Sequence, residues 1–66
     1  MNITVNGKKE EIEEQMTVLD FLQIKEQDPE KVIIVYNDDV KDREKWDEIT
    51  LEENDSLEVL RFVGGG

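Results

Sequence analysis

Residues 32–36 read Val-Ile-Ile-Val-Tyr, and no other stretch limits the fold so tightly. Four β-branched residues followed by an aromatic favour an extended backbone. An apolar run without polar alternation predicts a central strand over residues 32–37, with apolar side chains on both faces. The chain that must shelter it has 66 residues. That length is one domain with a lean core, because small domains bury a smaller share of their surface than large ones.

The neighbouring segments supply the rest of such a fold. "NITVNGKKEEIEE" places Ile3, Val5 and Ile12 among polar residues, and Asn6-Gly7 is the strongest short hairpin signal. Strands are expected near 2–6 and 9–14. In "MTVLDFLQIKEQ" the period changes to that of a helix: Val18, Leu19 and Leu22 share a face with Phe21 at its edge, and Thr17 is the N-cap, with Asp20 three residues on. Pro29 marks the boundary before the apolar run. "NDDV" reads as a turn, "KDREKWDEIT" as a short turn or helical piece that Trp46 anchors to the core, "ENDS" as another turn, and "LEVLRFV" as the last strand. The order β-β-α-β-β predicts an α+β domain, a mixed β-sheet with one main helix packed across one face. Alternation alone leaves the strand order open.

Chemistry is narrowed by what the chain lacks. It has no cysteine and no histidine, so no thiol nucleophile, disulfide, imidazole base or ordinary zinc site is expected, and no metal. The formal net charge of −10 repels phosphate backbones and anionic lipids, so nucleic acid and membrane are not expected partners, and a basic protein surface is the natural complement. The start "MNITVNGKKEE" lacks the pattern of a signal peptide, and a cytoplasmic location is expected. The acidic runs "EEIEE" and "DREKWDE" read as solvated faces, and "NDD" lacks calcium-loop spacing.

The sequence closes on "LRFVGGG". Taken alone, Gly64, Gly65 and Gly66 admit three readings: a cloning remnant, a frayed end, or a bare, extensible terminus whose α-carboxylate is the reactive group. In the last reading residues 1–63 form the domain and residues 64–66 a flexible tail.

The stretches "ITVNG", "TVLDFL", "DPEKVIIVYN", "REKW" and "DSLEVLRFVGGG" together resemble the ThiS/MoaD family of small ubiquitin-like β-grasp sulfur carriers, on its thiamine-biosynthesis branch. The resemblance implies a protein cosubstrate and not an enzyme. Gly66 is implied as the carrier residue, adenylated at its carboxylate and then converted to a thiocarboxylate, with Gly65 its obligatory neighbour. The implied partners are a ThiF-like adenylating enzyme that uses ATP, a sulfur donor system such as a cysteine desulfurase, and the thiazole synthase ThiG. No cofactor is expected on the chain itself. Related readings are a MoaD-like carrier for molybdopterin or another pathway, a ubiquitin-like binding module with an inert tail, and a protein modifier.

In a β-grasp sheet the third and last strands are neighbours. If Val32, Ile34, Leu57 and Val59 face the helix, then Ile33, Val35, Leu60 and Phe62 form an apolar patch on the other face, which with Gly64 is the expected partner-binding surface. Three positions depart from the family pattern. Asp38 stands where a turn glycine is usual, Asp42 where a proline often precedes "RE-W", and the polar Gln27 replaces an apolar residue before "DP", with Ile24 as the expected compensation.

Overall fold

At Asn6 and Gly7 the backbone turns left-handed twice, with φ 51° and 82°. Two such residues in succession make the hairpin turn whose twist matches that of its strands, which is why Asn-Gly occupies it. The computed structural model describes residues 1–62, and there β1 (Asn2–Val5) pairs antiparallel with β2 (Lys8–Glu11), Val5 opposite Lys8. β2 ends at Glu11, short of the expected residue 14. Past that point Ile12 donates its N–H to the Met1 carbonyl (2.8 Å) and drops its side chain into the core, so the ladder runs out with β1.

Helix α1 spans Val18–Ile24 and begins as its sequence predicts. The Thr17 hydroxyl accepts from the Asp20 N–H (3.0 Å) while the Asp20 carboxylate accepts from the Thr17 N–H (3.1 Å). Each side chain thus satisfies a backbone donor that a helix start leaves open. The buried stripe is Val18, Phe21 and Leu22, with Leu19 only half-buried. The expected face had exchanged Phe21 and Leu19. At about 100° per residue both sets span arcs of equal width, so periodicity does not choose between Phe21 and Leu19, and packing of the helix on the sheet does.

After a 3-10 turn at Pro29–Lys31, capped by the Asp28 carboxylate on the Glu30 N–H (2.9 Å), come β3 (Val32–Tyr36), β4 (Asp39–Lys41) and β5 (Ser56–Arg61). β4 corrects the expectation of a bare turn at "NDDV". Asn37 and Asp38, with φ 48° and 69°, make a second left-handed two-residue turn, and the chain returns to pair Val35 with Val40. Asp38 therefore carries out in place the job of the expected glycine, at some conformational cost.

The sheet order is β2-β1-β5-β3-β4. β5 lies parallel to β1 and antiparallel to β3. The last strand therefore takes the middle of the sheet, and β3, an interior strand as expected, with β5 and β4 on its two sides, is covered on one face only. The helix side of the sheet joins Ile3, Val32, Ile34 and Leu57 to Val18, Phe21 and Leu22, with Ile12, Leu51 and Trp46 closing the core. Trp46 is anchored as expected: it is buried behind the 3-10 turn Arg43–Lys45, and its indole N–H donates to the Lys41 carbonyl (3.0 Å).

Candidate functional site

Gly64, Gly65 and Gly66 lie outside the described residues, so the site is built from what leads to them. β5 delivers the chain to the tail. In the β3·β5 ladder Ile33 faces Leu60 and Val32 faces Arg61, and the Phe62 N–H donates to the Lys31 carbonyl (3.1 Å). Strand alternation then divides the side chains. Leu57 is fully buried under the helix with Val59 packed beside it, while Leu60 and Phe62 point to the other face.

That other face carries the expected apolar patch. Ile33 is 43% exposed, Leu60 47% and Phe62 46%. Val35 is half-buried instead of open. Val40, 64% exposed and directly opposite Val35, extends the patch and was not among the predicted residues. Its signal was present in the sequence: once Asn37-Asp38 is read as a two-residue hairpin turn, Val40 must pair with Val35 and share its face.

The helix exit differs from expectation. Glu26 has φ 57°, the Glu26 N–H donates to the Gln23 carbonyl (3.1 Å) and the Gln27 N–H to the Leu22 carbonyl (2.9 Å). These two bonds and the left-handed residue define a Schellman ending, in which the residue at Gln27 is usually apolar and packs on the last turn. Ile24 does not compensate for the polar residue there, being 62% exposed. Gln27 instead turns its carbonyl oxygen to β5, where Arg61 Nη2 donates to it at 2.8 Å. Lys25, at the C-cap, pairs with Glu10 of β2.

A second polar knot closes the far end of β3. The Tyr36 hydroxyl donates to the Asp55 carboxylate at 2.6 Å, which also accepts from the Asn37 amide (3.2 Å) and the Glu52 N–H (2.8 Å). Burial and the hydrogen bond to Asp55 push the Tyr36 hydroxyl up to about 12. Burial works to raise Asp55 as well, but the Tyr36, Glu52 and Asn37 donors together hold its carboxyl below the usual range. A carboxylate held ionised by structural donors is a clamp on the 52–55 turn and not a general acid.

Across β5 lies one further device. The β1 strand stops at Val5, yet the Asn6 side chain continues its role: the Val59 N–H donates to Asn6 Oδ1 (2.8 Å) and Asn6 Nδ2 donates to the Val59 carbonyl (3.4 Å). A side-chain amide offers the same donor and acceptor as a peptide group. Among the described residues no group of acidic side chains is arranged to hold a metal ion, no polar or charged residue is buried, and no helix is long and apolar enough to cross a membrane.

Comparison with known proteins fits this architecture. The crystal structure of a thiamine biosynthesis protein (ThiS) from Geobacter metallireducens is 38% identical, with 100% of both chains covered and a TM-score of 0.85. An NMR structure of a thiamine biosynthesis protein from the same organism is 36% identical, covers 100% of this chain and 88% of that one, and gives a TM-score of 0.83. No curated protein matches. The mixed five-stranded sheet with its single α-helix is thus the β-grasp fold of these relatives. Since the ThiS family model matches residues 2–66, glycine tail included, the chain belongs to the ThiS family.

Proposed function

We propose that this chain is a ThiS-type sulfur carrier of thiamine biosynthesis, a cytoplasmic protein cosubstrate whose reactive group is the α-carboxylate of Gly66. The observation that carries this reading is the family match running from residue 2 through to residue 66. A carboxylate is unreactive toward sulfur nucleophiles until its oxygen is made a leaving group. Attack of the Gly66 carboxylate on the α-phosphorus of ATP, with loss of pyrophosphate, forms an acyl adenylate. A persulfide from the donor then displaces AMP to give an acyl disulfide, and a thiol reductant cleaves its S–S bond to leave a thiocarboxylate on Gly66, ready for transfer to the thiazole-forming enzyme. ATP is bound by the partner, a ThiF-like adenylating enzyme; the acceptor is a ThiG-like thiazole synthase, and the sulfur comes from a donor such as a cysteine desulfurase.

The residues of the chain divide the work. Gly65 and Gly64 give a backbone that can enter a narrow channel, since no Cβ stands in the way. Ile33, Leu60, Phe62 and Val40, with Val35 beneath them, dock the domain so that the carboxylate reaches the nucleotide.

Incubation of the chain with ATP and a ThiF-like enzyme, followed by intact-mass measurement, tests the reading. The expected product is an adenylate, and with a sulfur donor and a thiol reductant present an exchange of oxygen for sulfur at Gly66. Deletion of Gly66, substitution Gly65→Val, or addition of a residue after Gly66 should abolish both while thermal stability stays within about 0.5 kcal/mol of the parent. An unchanged mass for the unaltered chain would favour a binding module with an inert tail. Normal reaction of the deleted or extended chains would remove Gly66 from its role.

A further inference from the structure

The departure at Gln27 is a paired feature of the tail's base. β5 outruns β1: the register of β1 on β5 ends at Val5 with Leu57, and Asn6 extends it by its side chain to Val59 only. The next residue whose backbone points to that side is Arg61. Its partner Val32 belongs to the ladder position flanked by the Phe62 to Lys31 bond, where the N–H and C=O of the paired residues turn away from each other. Among the described residues nothing meets the Arg61 backbone on the β1 side. A strand end held from one side frays easily.

The helix-exit loop holds that end by other means. Its Gln27 side chain grips the Arg61 guanidinium (2.8 Å), and its Lys31 carbonyl accepts from the Phe62 N–H (3.1 Å). An arginine only donates, so the glutamine oxygen must face it. Two successive residues of the chain, five and four positions before Gly66, are thereby fixed to one loop.

We propose that Gln27 and Arg61 are positioning residues for the tail: their hydrogen bond sets the direction in which the chain leaves β5, so that docking does not have to order it. The inference rests on the carrier reading above. Because ordering a frayed end is a binding cost, its loss falls on KM and not on kcat.

The site also offers a separation of stability from function. The residue at Gln27 occupies the Schellman position that ordinarily packs an apolar side chain on the helix. Gln27→Leu restores that contact while removing the tether.

The test uses the whole chain in two measurements. Amide exchange by NMR reads the tether without any enzyme, and pyrophosphate exchange with ATP and a ThiF-like enzyme reads its use. Gln27→Leu is expected to keep or raise the melting temperature, to speed exchange at Phe62, and to raise KM for the carrier about tenfold, the loss of one hydrogen bond to a charged group, with kcat unchanged. Gln27→Glu should recover the parent KM. Arg61→Ala should match Gln27→Leu, and the double variant should add nothing. Phe62 exchange and KM at parent values in Gln27→Leu would overturn the proposal, as would a KM that rises only in step with lost stability. An unaltered chain that is never adenylated sinks the carrier reading and the role of Gln27 with it. Normal adenylation with KM unmoved sinks only the latter.

Discussion

The two faces of the sheet are made from the same kinds of residue and have opposite fates. Val32, Ile34 and Leu57 are buried beneath the helix, while Ile33 and Leu60, on the same two strands, stand open with Phe62 and Val40. Strand propensity therefore cannot be what distinguishes them. The difference lies in cover: a seven-residue helix closes one face, and nothing in the described part of the chain closes the other. Scattered apolar residues are ordinary on a surface, but a set that is contiguous across three strands and ends at the tail is suited to a partner.

The sharpest way to break that contrast is to truncate equivalent leucines on the two faces. Leu57→Ala should cost about 2–5 kcal/mol, the range for a leucine removed from a closed core. Leu60→Ala should cost under about 1 kcal/mol. Urea unfolding of both variants checks this, and equal losses would mean that the open face is a second core.

A smaller effect is expected in binding. Leu60→Asp and Phe62→Asp should leave the fold intact and weaken association with the adenylating enzyme by about 2 kcal/mol, as hot-spot losses do. In the unaltered chain, association should slow as salt rises if the −10 charge steers it toward a basic surface of the partner, since ions screen such steering over about 8 Å at physiological strength. Calorimetry and stopped-flow rates check the two halves. Unchanged affinity in both variants would leave the patch without a docking role.

The smallest effect probes the rim of the covered face, where a polar clamp takes over from packing. Tyr36→Phe removes the hydroxyl bonded to Asp55 and should cost about 1 kcal/mol. The clamp also sets the pH limits. Tyr36 is raised in the fold to about 12 from 10.0, so its contribution is complete below pH 10.0 and is lost as the pH rises through about 12. Asp55 is lowered from 3.8, so its contribution is present above that value and is lost as the pH falls through the folded one. Chemical unfolding across pH should therefore show an alkaline decline that Tyr36→Phe flattens. A decline of the same size in the variant would assign it to other groups.

How much of this could be read beforehand follows from where each signal resides. The hairpin at Asn6-Gly7, the Thr17 cap and the anchoring of Trp46 are local, carried by a few adjacent residues, and each stands where the sequence puts it. The alternation of β3 and β5 likewise gave the two faces. The apolar run of β3 marked an interior strand, which it is, but the middle place of β5 had no local signal, because strand order depends on which distant segments meet. β4 was missed because Asp38 occupies a left-handed turn position where glycine is usual, which made "NDDV" read as a turn with no return. Gln27 looked like a lost apolar contact because its partner, Arg61, lies 34 positions away. The role proposed for Gly66 rests on family resemblance alone, since three glycines carry no side-chain chemistry.

Asn6 does more than lengthen a ladder. An asparagine followed by glycine is the pair most open to spontaneous loss of its amide, because the next backbone nitrogen can attack the side-chain carbonyl carbon and close a cyclic imide, which water then opens to an acid. In the fold both ends of that amide are hydrogen-bonded to Val59, which opposes rotation of the carbon toward the Gly7 nitrogen. Ageing at this position should therefore proceed only through molecules in which the β1–β5 junction has opened, at the free-peptide rate multiplied by the open fraction. Peptide mapping by mass spectrometry after incubation in buffer and in urea would read it, and equal rates in the two would refute the protection. The bond that finishes a strand then also keeps a clock, and the fraction of chains with an acid at residue 6 records how long the population has spent open there.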